Sequence, residues 1–140
     1  MKLKYFSFLL ILFTLESCSI PTGIYIQNLT SKCITLKVKF KKPFKEFYIG
    51  DGVKFFNLSE ITTVKNWSNK KNATKLNFVE IDDKTFVIHL PPNSTTVIER
   101  THNFNFNLEK IEFNGDEREI EDLLINSTKK RDNYIYQIKN

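Results

Sequence analysis

Hydrophobic and polar residues alternate with a period of two through most of the chain after residue 23. In residues 34–40, large apolar residues occupy every second position and threonine or lysine lies between them. This period is typical of β-strands with one buried face. Runs of the same type predict further strands at 24–27, 44–49, 53–58, 76–81, 85–90, 95–101, 104–113 and 134–138.

The clearest hairpin covers residues 76–90, where Asp82-Asp83-Lys84 supplies a short turn. Residues 91–94 (Pro-Pro-Asn-Ser) then end the second strand, and 95–101 predicts a returning one. This arrangement resembles immunoglobulin-like sandwich domains, although the chain lacks their Cys-Trp-Cys core. Together with the many short strands, it predicts a mostly β fold built as a single antiparallel β-sandwich.

Two segments depart from the period of two. Residues 59–75 are polar and rich in asparagine and lysine, which predicts a loop or irregular edge. Asn114-Gly115 indicates a hairpin turn, whereas residues 116–119 look like an N-cap with a capping box. Apolar residues at helical spacing follow, so we predict one short helix near 117–126.

The first residues form a secretory signal. Lys2 and Lys4 precede the apolar run Tyr5–Leu15, and small residues follow before Cys18. The apolar run is shorter than the ~20 residues that a transmembrane helix needs. We therefore assign residues 1–17 to a signal peptide.

The residues Leu15-Glu16-Ser17-Cys18 resemble the lipobox of bacterial lipoproteins. That resemblance implies removal of residues 1–17, a diacylglyceryl thioether on Cys18 and acylation of the new N-terminus. Ser19, rather than the aspartate that signals inner-membrane retention in that family, implies the outer membrane of a bacterial cell envelope. Cleavage after Ser19 by the ordinary signal peptidase is the alternative, because Ser17 and Ser19 are acceptable small residues.

The predicted organisation is a lipidated N-terminus and short tether at 18–23, followed by one sandwich domain at 24–140. The chain has a formal net charge of +5, with lysines dominating residues 32–75 and acidic residues dominating 80–140. Lys37, Lys39 and Lys41 share one predicted strand face, and Lys45 is nearby. Because the tether is short, these four lysines could contact anionic lipid headgroups; alternatively, they only solvate the strand.

The residues favour no catalytic or metal centre. His89 and His102 are the only histidines, and neither has metal-ligand spacing to a partner. We assign no cofactor and no nucleic-acid partner. Asp82 and Asp83 suit a turn, and the acids of 116–122 suit a helix start. Cys33 is predicted to be a small strand residue.

Trp67 is the only tryptophan and lies in a polar, amide-rich loop, where it could stack on a sugar or a peptide. Asn-x-Ser/Thr triplets begin at Asn28, Asn57, Asn66, Asn72, Asn93 and Asn126, and we interpret them as chance matches in an asparagine-rich chain. The sequence thus predicts a non-catalytic, membrane-anchored envelope lipoprotein that binds or supports another envelope protein or a glycan. A carbohydrate- or peptide-binding module using Trp67 is the alternative.

Overall fold

The computed structural model describes residues 19–47, 54–62 and 72–139. Within them, short strands alternate with turns, and two short helices interrupt the series. The elements are β1 (Pro21–Asn28), β2 (Ile34–Phe40), α1 (Phe44–Phe47), β3 (Phe55–Leu58), β4 (Thr74–Leu76), β5 (Phe78–Glu80), β6 (Thr85–Leu90), β7 (Ser94–His102), β8 (Leu108–Phe113), β9 (Asp116–Glu119), α2 (Ile120–Ile125), β10 (Thr128–Lys130) and β11 (Asn133–Ile138).

The described strands form two sheets that pack face to face. Sheet A has the order β10-β11-β1-β7-β3-β4, and sheet B has the order β5-β6-β2-β8-β9. Strands β1 and β11 pair in parallel, and the other pairs are antiparallel. The predicted mostly β sandwich is therefore confirmed.

The core lies between the sheets and is aliphatic along most of their length. At one side it becomes aromatic, with ring centroids of Phe40, Phe44 and Phe86 5.2–5.9 Å apart in edge-to-face geometry. Phe55 and Phe78 extend this group. Edge-to-face aromatic pairs add ~0.5–1.5 kcal/mol beyond burial, so these rings hold the two sheets together at this side.

Each open side of the sandwich is closed by the chain passing between the sheets. On one side, β4 in sheet A continues through Asn77 into β5 in sheet B. On the other side, α2 joins β9 in sheet B to β10 in sheet A and buries Leu123 completely. The core is consequently covered at both lateral edges.

The predicted helix near 117–126 is confirmed but shorter. Asn114 and Gly115, both with positive φ, turn the chain from β8 into β9, so the hairpin signal was also correct. Residues 116–119 pair as a strand, and the Glu119 side chain makes no capping hydrogen bond. The predicted capping box was therefore wrong, because strand pairing with β8 satisfies these backbone groups.

Other differences arise where the chain turns. Phe44–Phe47 is a helix and not the start of the predicted strand 44–49; Pro43 immediately precedes it, a residue favoured at helix starts. The predicted strand 76–81 is divided between β4 and β5. The predicted strand at 104–113 begins only at Leu108, because positive φ at Asn103 and Phe104 interrupts the ladder.

The start of β2 and the start of β1 also differ from prediction. Cys33 precedes β2 and is exposed as a free thiol, so its assignment to a strand was wrong. Strand β1 begins at Pro21, before the predicted boundary at residue 24, and Thr22 is already buried. The part of the chain that could act as a tether therefore ends sooner than expected.

Candidate functional site

The first described residues are fixed to one end of the sandwich. The backbone N–H of Ile20 donates to Asn103 Oδ1 at 2.9 Å, and the N–H of Asn103 donates to the Ile20 carbonyl at 2.8 Å. Pro21 pairs with His102 at the end of β7. The chain thus enters the fold beside the turn that follows β7, in the position immediately after Ser19 and the predicted lipidation residue Cys18.

An aromatic and cationic cluster lies at this turn. Asn103 and Phe104 have φ of 53° and 58°, a conformation that bulky side chains rarely adopt. The Phe104 ring meets Tyr134 edge-to-face at 6.4 Å, and Lys129 Nζ lies 5.1 Å from the Phe104 centroid and 5.5 Å from that of Tyr134. The strained turn therefore holds a partly exposed phenylalanine beside a lysine.

More basic residues reach the same end from other elements. The N–H groups of Lys41 and Lys42 donate to the backbone and side-chain oxygens of Asn107, which joins the end of β2 to the start of β8. Both lysines are exposed. Lys130 and Arg131, at the turn between β10 and β11, are exposed as well. The chain-entry end consequently carries several exposed cations, beside the acidic Asp82-Asp83 turn, in which the Asp83 carbonyl accepts from the N–H of Phe44.

The outer face of sheet B carries a different arrangement, in which lysines pair with glutamates. Lys37 Nζ lies 3.2 Å from Glu112 Oε2, and Lys39 Nζ lies 2.7 Å from Glu109 Oε1. Both pairs are partly exposed, so each contributes ~0–1 kcal/mol to stability. Lys37 and Lys39 therefore face carboxylates on the neighbouring strand β8.

The third ion pair on this face shows the same mutual stabilisation. Lys110 Nζ lies 2.8 Å from Glu117 Oε2 across β8 and β9. The hydrogen bond to Glu117 raises the pKa of Lys110, and the same bond lowers the pKa of Glu117. Charge on the outer face of sheet B is thus balanced by alternating signs.

Of the four lysines predicted to contact a membrane, the structure describes the side chains of Lys37, Lys39 and Lys41. Lys37 and Lys39 lie on the outer face of sheet B in ion pairs, whereas Lys41 lies at the chain-entry end. The side chain of Lys45 lies outside the described part of the structure, although its backbone belongs to α1. Membrane contact through these four lysines stays a prediction.

The outer face of sheet A is partly covered by residues 60–62. Gln27 Nε2 donates to the Thr62 carbonyl at 2.9 Å, and the hydroxyl of Thr95 donates to the Glu60 carbonyl at 2.9 Å. Gln137 Nε2 donates to Gln27 Oε1. These bonds explain why β1 is buried on both faces and not on one, as alternation had indicated.

Tyr25 is buried on this covered face, and its burial raises its phenol pKa while Arg100 opposes the rise. Because the fold favours the neutral phenol, the associated stability is complete below pH ~10 and is lost as pH rises through the raised pKa. We expect the free energy of unfolding to fall more steeply above pH ~10 in the wild type than in Tyr25→Phe. Urea unfolding at a series of pH values measures this, and parallel curves would contradict it.

The histidines and acidic residues have separate positions. His89 Nδ1 lies 3.1 Å from the Thr35 hydroxyl on the outer face of sheet B, whereas His102 ends β7 in sheet A. Asp82 accepts from the Lys84 N–H, which lowers the pKa of Asp82 and serves the β5–β6 turn. In the described residues, no three His, Cys, Asp or Glu side chains come together as a metal site.

Three surface depressions lined by described residues have volumes of about 220–330 Å³. One of about 220 Å³ lies between Phe44, Phe56 and Arg100, which is below the ~300–1,000 Å³ typical of small-molecule sites. Another, of about 330 Å³, lies over the ion pairs of Lys39 and Lys110 on sheet B. The ion-paired side chains make the second depression a charged surface.

Two of the asparagine triplets begin at buried side chains. Asn28 is fully buried, and Asn57, at 1% exposure, accepts a hydrogen bond from the Thr96 hydroxyl. A glycan could not be attached at either position without breaking these contacts. Burial therefore argues against glycan attachment at Asn28 and Asn57, and the interpretation of the triplets as chance matches stays a prediction.

Sequence reasoning identified neither the cluster around Phe104 nor two buried polar side chains, Asn28 and Glu99. The only local signals were asparagine at 103, a residue enriched at positive φ, and threonine two positions after Asn28, which suits an Asx turn. Glu99 sits in the mostly polar strand Ser94–His102, so its sequence context does not mark it as a buried residue.

Cys18 and Trp67 lie outside the described residues, so lipidation and ligand stacking there stay predictions. Neither of the described helices has the length and apolar composition required to span a bilayer. Searches of protein-family models, curated proteins and solved structures found no match to this chain.

Proposed function

We propose that this chain is a non-catalytic lipoprotein of the bacterial envelope, attached to a membrane through Cys18, that binds or supports another envelope component. One observation carries the proposal: strand β1 begins at Pro21, three positions after Cys18 of the Leu15–Cys18 lipobox resemblance. A lipid on Cys18 would therefore hold a folded domain, with no flexible spacer between them.

The distance from the anchor to the domain follows from the chain. Three residue steps separate Cys18 from Pro21, a reach of at most ~11 Å. Each lipid methylene buried in the bilayer contributes ~0.8 kcal/mol, so two or three acyl chains hold the protein firmly. The sandwich then lies against the membrane surface, where it can meet other envelope components.

The non-catalytic part of the proposal is supported by what the acidic side chains do. Glu99 accepts two backbone N–H groups, Asp82 closes a turn, and Glu109 pairs with Lys39. Each of these three carboxylates has a hydrogen-bond or ion-pair partner within the fold. A supporting or binding role uses the surface of such a fold and needs no reactive side chain.

Lipidation is tested by producing the full chain in a bacterium that acylates lipoproteins, with labelled palmitate in the medium. We expect the label on the wild type and its complete loss in Cys18→Ser. Cys33→Ser is the matched control, because Cys33 is the only other cysteine and is exposed, so this variant should keep the label. Crosslinking of the anchored protein followed by mass spectrometry then names its envelope neighbour.

The intact mass separates the two cleavage alternatives. An acylated chain that begins at Cys18 supports the proposal. A mature, unlabelled chain that begins at Ile20, after cleavage behind Ser19, would contradict it.

A further inference from the structure

We propose that the chain-entry end of the sandwich docks on anionic lipid headgroups. The docking surface, called here the anchor-end surface, consists of Ile20, Phe104, Lys129, Lys130 and Arg131. The inference rests on the proposed lipidation of Cys18 and goes beyond it, because a lipid anchor alone does not determine which side of the domain faces the bilayer.

The apolar part of the anchor-end surface consists of two exposed side chains, Ile20 and Phe104, from neighbouring backbone segments. Ile20 is 40% exposed and Phe104 is 38% exposed. The reciprocal hydrogen bonds between Ile20 and Asn103 hold Ile20 at the turn that also contains Phe104. Left-handed backbone at Phe104 is unfavourable for an aromatic residue, and such strain is typically kept where a side chain has a role. Exposed aromatic and aliphatic side chains suit the interfacial layer of a bilayer.

The cationic part surrounds these two side chains. Lys129 Nζ lies over the Phe104 ring at 5.1 Å, which places a positive charge and an aromatic ring at the same point of the surface. Lys130 and Arg131 follow in the exposed β10–β11 turn, together with half-buried Asp132. Each cation near an anionic leaflet raises affinity roughly fivefold. The combination matches negatively charged headgroups above an apolar layer.

The anchor brings this surface within reach of the headgroups. Two residue steps separate Cys18 from Ile20, a distance of at most ~7 Å. The headgroup region of one leaflet is ~5–7 Å thick. Ile20 and Phe104 must therefore lie at or near the headgroups whenever the Cys18 lipid is inserted.

Lys37 and Lys39 provide a matched comparison, since they lie on the outer face of sheet B and pair with Glu112 and Glu109. Removing them deletes two positive charges, as removing Lys129 and Lys130 does. The net charge of the protein falls equally in both double variants. A difference between the variants therefore reports on position and not on total charge.

Orientation is measured on the full lipidated chain in phosphatidylcholine vesicles with and without phosphatidylglycerol. A fluorophore is placed on native Cys33, or on His102→Cys in a Cys33→Ser background, and a headgroup nitroxide lipid quenches it. Cys33 follows β1 at the opposite end of the sandwich, about 25 Å away along this eight-residue strand. We expect strong quenching of the label at position 102 and little quenching at Cys33. The strong quenching at position 102 should occur only in vesicles that contain phosphatidylglycerol.

In Lys129→Gln/Lys130→Gln, the docked fraction relative to the undocked should fall roughly twenty- to thirtyfold, whereas Lys37→Gln/Lys39→Gln should leave it nearly unchanged. Added salt should release the wild type in the same way. Equal quenching at both labels, or equal effects of both double variants, would overturn the docking surface while leaving lipidation intact.

A chain that carries no lipid would overturn the proposed function. Such a chain is recognised by its mass, or by a second fluorophore that reacts with an unmodified Cys18. The docking surface is then tested by sedimentation of the same proteins with the same vesicles. Weaker sedimentation of Lys129→Gln/Lys130→Gln than of Lys37→Gln/Lys39→Gln supports the surface. Equal sedimentation of the two variants counts against it.

Discussion

Replacing Asn28 with alanine is expected to lower the free energy of unfolding by about 3–4 kcal/mol. The Asn28 side chain is fully buried, and its Nδ2 group lies 2.8–3.2 Å from the carbonyl oxygens of Lys32, Leu90 and Pro91. Its Oδ1 accepts from the N–H and the hydroxyl of Thr30. Alanine would leave several buried polar groups without partners, at ~1–3 kcal/mol each before relaxation.

This one side chain connects three parts of the fold. It lies at the end of β1 in sheet A, organises the turn at 29–33 before β2, and contacts the end of β6 in sheet B. A domain of this size has a total stability of ~5–15 kcal/mol. The loss of Asn28 therefore removes a large fraction of the stability and is expected to loosen this end of the sandwich.

Urea unfolding of the purified protein measures the effect. Asn72→Ala is the matched control, because Asn72 also begins an Asn-x-Thr triplet but is exposed, and its loss should change stability by less than ~0.5 kcal/mol. Equal stability of Asn28→Ala and the wild type would show that the buried bonds are replaced by water.

A charged substitution at the same place gives a signed pH dependence. Asn28→Asp puts a fully buried carboxyl group against three carbonyl oxygens; burial and these oxygens outweigh the two Thr30 donors, so the protonated form is favoured and its pKa is raised in the fold. Stability should then be best below the unfolded pKa of ~3.9 and fall as pH rises through the raised folded pKa. Unfolding curves of the variant compared with wild type at acidic and neutral pH check this sign.

The fold was predictable where one strand face is buried by the opposite sheet. In β2, residues 34–40 alternate between buried apolar and more exposed polar side chains, and the strand bounds agree with the prediction. In β6, Phe86, Ile88 and Leu90 are buried and His89 is exposed, again as alternation indicates. Hydrophobic burial on one face acts locally along a strand, so a local pattern reveals it.

The covered outer face of sheet A was not predictable in the same way. Tyr25 and Gln27 have the composition of a solvated face, yet both are buried. Gln27 is satisfied by Thr62 and Gln137, which lie far away along the chain. Such burial depends on tertiary hydrogen bonds, and no period in residues 21–28 reports them.

The anchor-end surface was hidden for a related reason. Phe104 and Phe106 alternate with asparagines, which imitates a half-buried strand, whereas Phe104 actually lies in a turn with positive φ. Lys129, which lies over its ring, and Ile20, which hydrogen-bonds to the preceding Asn103, come from distant segments. Similarly, the sequence alone suggested a basic strand face at Lys37 and Lys39, whereas in the structure glutamates of β8 form ion pairs with both lysines. Charge along a sequence therefore says little about charge on a surface when strands pair across long distances.

Replacing Glu99 with alanine is expected to lower the free energy of unfolding by about 3 kcal/mol. Glu99 is 3% exposed, and its Oε1 and Oε2 accept from the backbone N–H groups of Asn107 and Leu108 at 2.7 and 2.8 Å. Hydrogen bonds to an ionised group are worth ~1.5–3 kcal/mol, and alanine would leave two buried N–H groups without this acceptor.

Glu99 also stabilises the polar segment 103–107, which crosses from β7 in sheet A to β8 in sheet B at the chain-entry end. It comes from β7 in sheet A, whereas Leu108 begins β8 in sheet B, so its carboxylate joins the two layers beside the turn that carries Phe104. Loss of this clamp should loosen that turn as well as the core. Amide hydrogen exchange at Asn107 and Leu108 is therefore expected to accelerate in Glu99→Ala.

Two further glutamate substitutions make the test specific. Glu99→Gln keeps the size but puts an amide donor where an acceptor is needed, so we expect an intermediate loss of about 2 kcal/mol. Glu109→Gln is the matched control, because Glu109 joins strands of sheet B through a partly exposed ion pair with Lys39 and should cost no more than ~1 kcal/mol. If urea unfolding showed that Glu109→Gln loses as much free energy of unfolding as Glu99→Ala, or more, then the Glu99 carboxylate would not be what holds β7 to the start of β8.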